Sequence, residues 1–155
     1  MRGLGSAVLA TLVACAPQVN GEGASLELGT GSWRFEPITD GQELELVRGA
    51  QGGWHLWLSV RTRGLDDRTP LRITMQPADE SLPPRMATAT MVLDPPNADG
   101  FRDFVGFASV VEDPGCRVGE LMRIEASAEV DGEVLVTERY VVPLGGTYPP
   151  PPCEP

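Results

Sequence analysis

Lysine is absent from this chain: all 12 of its basic residues are arginine, set against 22 acidic ones, for a formal charge of −10. The missing lysine reflects genomic base composition rather than function. The acidic balance excludes more. It repels nucleic acid and anionic lipid headgroups, and no basic cluster offsets it, Arg61 and Arg63 being the densest pair. Nucleic acid is therefore not an expected partner. Histidine occurs only at His55, so a metal site would have to draw its other donors from carboxylates. Ser59 is placed on the same strand face as His55, about 13 Å away at about 3.3 Å per residue, too far for a nucleophile–base pair.

Catalytic signatures are equally scarce. There is no glycine-rich loop ending in Lys-Ser/Thr, no G-x-S-x-G and no H-E-x-x-H. A glycosidase needs only two carboxylates, yet nothing marks a pair among the 22 acids. We expect no enzyme, no cofactor and no metal centre. "DPPNADG" (Asp94–Gly100) fails as an EF-hand: aligning Asn97 and Asp99 puts Pro95 at the first ligand position and Gly106 at the twelfth. It reads as an Asn/Asp/Pro turn, a looser calcium site from Asp94, Asn97 and Asp99 being the alternative.

Helical periodicity is missing too: no segment sustains it over ten or more residues. Alternation dominates instead. In "GAQGGWHLWLSV" (Gly49–Val60) and just beyond it, Trp54, Leu56, Leu58 and Val60 fall on one face, and His55, Trp57, Ser59 and Arg61 on the other. That is the pattern of a half-buried strand. Leu71, Ile73 and Met75 form a second stripe, and Met122, Ile124, Ala126, Ala128 and Val130 a third. Val134, Val136, Tyr140 and Val142 form a fourth, interrupted by Glu138. Asp131-Gly132 between the last two is a tight-hairpin signal. Further strands are expected over Ser32–Ile38, Glu43–Arg48, Arg85–Leu93 and Phe104–Val111, the last apolar on both faces as for a central strand.

The 18 glycines and 15 prolines supply the turns between them. About eight strands at this spacing predict an all-β fold, an antiparallel β-sandwich of immunoglobulin-like type, with a small β-barrel as the alternative.

The aromatic and basic residues of the polar face raise a site hypothesis. His55, Trp57 and Arg61 would make a shallow patch suited to sugar, peptide or protein contacts. Gln51, Gly52 and Gly53 precede it, the glycines allowing a bulge or a close approach of another segment. A carbohydrate- or metal-binding face is one reading. The other is that a loop or the second sheet covers Trp57 and that His55 packs beside it.

No apolar run reaches the length of about 20 residues that spans a bilayer. The N-terminus is nonetheless apolar. "MRGLGSAVLATLVAC" has one basic residue, Arg2, then a short apolar stretch and small residues, the layout of a secretory signal. Leu12-Val13-Ala14-Cys15 resembles the lipobox of bacterial lipoproteins. That resemblance implies cleavage before Cys15, acylation of its thiol and a lipid-anchored N-terminus. Residues 1–14 would be the signal peptide and residues 15–25, polar and small, a flexible tether. The sandwich would occupy 26–145 and a proline-rich tail 146–155. Ala16, not aspartate, follows Cys15, which under the enterobacterial sorting rule points to the outer membrane, facing the periplasm or the surface.

With Cys15 lipidated, Cys116 and Cys153 remain. In an oxidising envelope they are expected to form a disulfide, two separate thiols being the alternative.

"DGQELELVRGAQGGWHLWLSVRTRGL" (Asp40–Leu65) resembles a segment of uncharacterised lipoproteins of high-GC Gram-negative bacteria, where D-G-x-x-L-x-L-V-x-G-x-Q-G-G-x-H-x-W precedes a strand. The resemblance covers this segment and the lipobox. It implies location and fold but no activity, and it groups Gln51, Gly52, Gly53, His55 and Trp57 as a unit. The expectation is thus a membrane-anchored binding or cell-envelope module, held by its lipid, with an envelope protein or glycan as partner.

Overall fold

The computed structural model describes residues 23–154. The expected signal peptide, Cys15 and the expected tether up to residue 22 lie outside the described residues. Ten strands and one short helix follow in the order β1 (Ser25–Thr30), β2 (Glu36–Pro37), β3 (Gln42–Glu45), β4 (Val47–Arg48), β5 (Trp54–Arg63), β6 (Arg68–Pro77), β7 (Arg85–Val92), β8 (Arg102–Val111), α1 (Pro114–Arg117), β9 (Met122–Val130) and β10 (Glu133–Leu144). They form two sheets with no closed barrel, an all-β sandwich as expected.

In the first sheet β5 is central. It pairs with β1, and beyond the end of β1 with β4, along one side, and with β8 along the other, while β2 extends β1. The second sheet runs β3-β10-β9-β6-β7. The opening segment thus divides between layers: β1 joins the first sheet, and β3 pairs parallel with the last strand, β10. The β6–β7 and β9–β10 hairpins lie in the second sheet, and β8 crosses back to the first. This is an immunoglobulin-like topology, with one parallel pair in an otherwise antiparallel set. Between the layers lie Leu26, Leu28, Leu56, Leu58 and Val60 from one sheet and Leu71, Ile73, Met75, Met122, Ile124 and Leu135 from the other.

Four local expectations are corrected. The strand over Ser32–Ile38 shrinks to Glu36–Pro37, and a full strand, β1, begins at Ser25, where the tether was expected to end. The β5 strand is not half-buried: His55 and Ser59 on its outer face are buried as well, because loops lie over them.

The β8 strand is an edge, not a centre, and its apolar residues are arranged by a bulge. The pairing shifts between Leu58 and Val60, so that Phe107 faces Leu58 and Phe104 faces Val60. The extra residue brings both phenylalanines onto the core. Gly106 at the bulge has φ 77°, a conformation other residues rarely take.

The β10 stripe is inverted. Leu135 and Val141 are buried, while Val134 is 59% exposed and Val136 is also exposed. The cause is the hairpin. Asp131 (φ 52°) and Gly132 (φ 81°) make a two-residue turn with both central residues at positive φ. Leu135 then stands opposite Ala128 and Val134 opposite Glu129. Opposed residues share a face, so the odd residues of β10 follow the even residues of β9 inward.

Candidate functional site

The segment Gly49–Arg61 folds as a hairpin end running into β5. The Gly49 N–H donates to the Gly53 carbonyl (2.7 Å) and the Gly52 N–H to the Gly49 carbonyl (3.0 Å). Ala50, Gln51 and Gly52 form the loop, with Gly52 at φ 93° in the position a three-residue hairpin reserves for glycine. Gln51, Gly52 and Gly53 are exposed, and a Cβ at Gly49 would lie 3.6 Å from the His55 Nδ1.

His55 is only 8% exposed, and its Nε2 is buried without a hydrogen-bond partner among the described residues. Burial pushes its pKa below the ordinary value of 6.5, which leaves it neutral at pH 7. The imidazole meets the Trp57 ring edge to face, with centroids 4.5 Å apart. A buried imidazole so placed packs the strand; it does not present a ligand to solvent.

Arg61 is likewise occupied. Its guanidinium makes a bidentate pair with Asp103, Nε to Oδ1 at 2.8 Å and Nη2 to Oδ2 at 3.0 Å. That hydrogen bond raises the Arg61 pKa above its usual value. The guanidinium also lies over Phe35, 4.3 Å from the ring centroid, and 5.6 Å from that of Phe101. Arg61 therefore clamps the outer face of the first sheet. Ser59 is a hub beside it: its hydroxyl donates to the Gly31 carbonyl (2.8 Å) and accepts from the Gly106 N–H (3.3 Å). The expected His55/Trp57/Arg61 patch is therefore not one open surface.

Of that unit, Trp57 reaches a recess. It lines a cleft of about 600 Å³ together with Trp33, Glu36, Gln42, Glu43 and Glu45. Trp33, on the loop between β1 and β2, is 94% exposed. Sequence reasoning missed it because it was placed inside a strand. The signal was there: Gly31 and Ser32 lead into Trp33 as turn residues, not strand residues.

A second recess, of about 300 Å³, opens between the sheets where β7 and β8 form neighbouring edges. Met75, Met122, Leu82 and Val110 line it. An ion pair between Arg85 and Glu112 joins the two edges beside it. No sequence pattern marks this groove, since its walls come from segments far apart in the chain. Asn97 and Asp99 are committed to a turn: the Asn97 Oδ1 accepts the N–H groups of Asp99 and Phe101, both at 3.0 Å. Among the described residues no group of three or more His, Cys, Asp or Glu side chains could hold a metal ion.

Cys116 and Cys153 form a disulfide, with Cα atoms 4.5 Å apart. It ties the tail to α1, between β8 and β9. The tail is held at two earlier points as well: the Glu45 Oε1 accepts the Thr147 N–H (3.0 Å), and the Trp54 Nε1–H donates to the Tyr148 carbonyl (3.1 Å).

These surfaces and layers define an immunoglobulin-like β-sandwich domain with a tryptophan-lined cleft and an open inter-sheet groove. No family model matches the chain, and neither a curated protein nor a solved structure matches it.

Proposed function

We propose that this protein is a lipid-anchored bacterial lipoprotein, a non-enzymatic binding module held in the cell envelope, on the outer membrane, through Cys15. The observation that carries the reading is the lipobox Leu12-Val13-Ala14-Cys15, followed after a short polar stretch by a sandwich whose first strand begins at Ser25.

The direction of the strands supports it. Ser25 pairs with Arg63 at one end of β5, whereas Trp54 pairs with Arg48 and Val111 at the other. The 10 residues of β5 span about 30 Å. The inter-sheet groove, lined by Val110 and Val111, lies at the Trp54 end, remote from where a tether would enter. The second reading, glycan recognition by the His55/Trp57 face, has Trp57 in the cleft to recommend it.

The test is the intact mass of the mature chain extracted with detergent from its native membrane fraction. A polypeptide beginning at Cys15 with added acyl mass is expected, and Cys15→Ser is expected to leave an unacylated chain outside the membrane fraction. A soluble, unacylated wild-type protein would overturn the anchor.

A further inference from the structure

We propose that the cleft beside Trp33 is a docking site for a basic segment of a partner protein, with an arginine or lysine side chain seated against the Trp33 indole near the Glu43 and Glu45 carboxylates. The proposal deepens the binding-module reading and rests on it.

The first observation is that Trp33 stands almost fully in water on a loop that is itself held. The Ser59 hydroxyl donates to the Gly31 carbonyl, the Thr30 hydroxyl donates to the Trp57 carbonyl (2.6 Å), and Phe35 is buried behind the loop. An exposed indole on an anchored loop loses little conformational freedom when it binds. Tryptophan is also among the residues that dominate interfaces.

The second observation is how this domain treats three of its other aromatic rings. Arg48 lies over Trp54 at 5.6 Å, Arg61 over Phe35 at 4.3 Å and Arg63 over Phe101 at 4.3 Å. Among the described residues no guanidinium lies over Trp33. Its face offers a partner the contact that the chain makes for itself elsewhere.

The third observation selects the charge of the occupant. Arg34, which lines the same cleft, pairs with Glu36 at 2.9 Å and offsets one of its three carboxylates. Glu43 and Glu45 have no ion-pair partner among the described residues, although the Glu45 Oε1 accepts the Thr147 N–H, and the chain as a whole carries −10. An anionic membrane surface or an acidic partner is repelled there, and a cationic side chain is attracted. A neutral sugar could stack on the indole but would gain nothing from the net negative charge, which is why the occupant is assigned as basic.

The experiment uses the full chain in a neutral detergent and a fluorescent oligo-arginine peptide followed by anisotropy. One saturable site is expected, about tenfold weaker in Trp33→Ala and in Glu43→Gln, with the melting temperatures of both variants unchanged. Glu133→Gln, which removes the same charge at the β9–β10 hairpin, is expected to leave the affinity as it was. Equal weakening by Glu133→Gln would show diffuse attraction to an acidic surface and overturn the proposal, as would full affinity in Trp33→Ala. The three indole N–H resonances supply the other arm. A shift of the Trp33 signal with chitotriose but not with the arginine peptide would make the cleft a glycan platform and overturn the proposal. None of these readouts depends on acylation of Cys15, so failure here is distinguishable from failure of the anchor.

Discussion

His55 shows how much one position can depend on what lies over it. Its ring is buried beside the Gly49–Gly53 hairpin end with Nε2 left unpaired among the described residues. The folded-state pKa is therefore below that of the unfolded chain, which stays near 6.5. Below about pH 6.5 the unfolded chain takes up a proton that the folded chain refuses. Stability is accordingly lost as pH falls from about 6.5 to the lowered folded value. His55→Phe keeps a ring and removes the titration. Denaturant melts between pH 7.5 and 5 are expected to show a smaller loss for the variant than for wild type. Parallel curves would mean that His55 is not sealed. Arg61 teaches the same lesson in charge: stacked on Phe35 and locked to Asp103, it is spent on structure.

At the scale of the element, the β9–β10 hairpin carries the clearest prediction. Two stripes of even-numbered apolar residues cannot both face inward across a two-residue turn, because each even residue of β9 stands opposite an odd residue of β10. Leu135, 2% exposed, is the core residue, and Val134 is not. Leu135→Ala is expected to cost roughly 2–4 kcal/mol, whereas Val134→Thr is expected to stay within about 0.5 kcal/mol. Urea unfolding of the two variants decides it, and the reverse order would mean that the register is shifted by one residue. The outer face of the same hairpin shows why an acid can interrupt a stripe. Glu138 stands opposite Glu125, a repulsive pair, and Arg123 bridges the two, with Nε to Glu138 at 2.8 Å and Nη2 to Glu125 at 3.0 Å.

At the scale of the molecule, the disulfide does not cross the sandwich from sheet to sheet. It fastens the C-terminal tail to the β8–β9 connection, closing a loop across a sequence separation of 37. On the chain-entropy account a loop of this length contributes roughly 3–4 kcal/mol. Cys116→Ser with Cys153→Ser, or mild reduction of the wild type, is expected to lower the melting temperature while leaving the far-ultraviolet spectrum of a β protein. An unchanged melting temperature would mean that the Thr147 and Tyr148 contacts alone hold the tail. Much of this architecture was legible in the residues. Alternation along Leu71–Met75 and Met122–Val130, the Asp131-Gly132 turn and the spare pair of cysteines led to the right class, hairpin and bridge. The candidate site was legible only in part. Trp57 reaches a cleft, but His55 and Arg61 do not join it, and Trp33 went unnoticed because a turn was read as a strand.

The sequence by itself determined that the chain is all-β, where its tight hairpin falls and which residues share a face, because side chains alternate with a period of two along any strand. Tertiary structure alone decided which face is inside and which strand is an edge. Those depend on the partner across the ladder, on a bulge such as that at Gly106 and on the loop that closes over an outer face. None of these is local to the strand on which it acts. The same is true of both recesses. Their walls are assembled from segments far apart in the chain, and only the packing of two sheets brings those segments together.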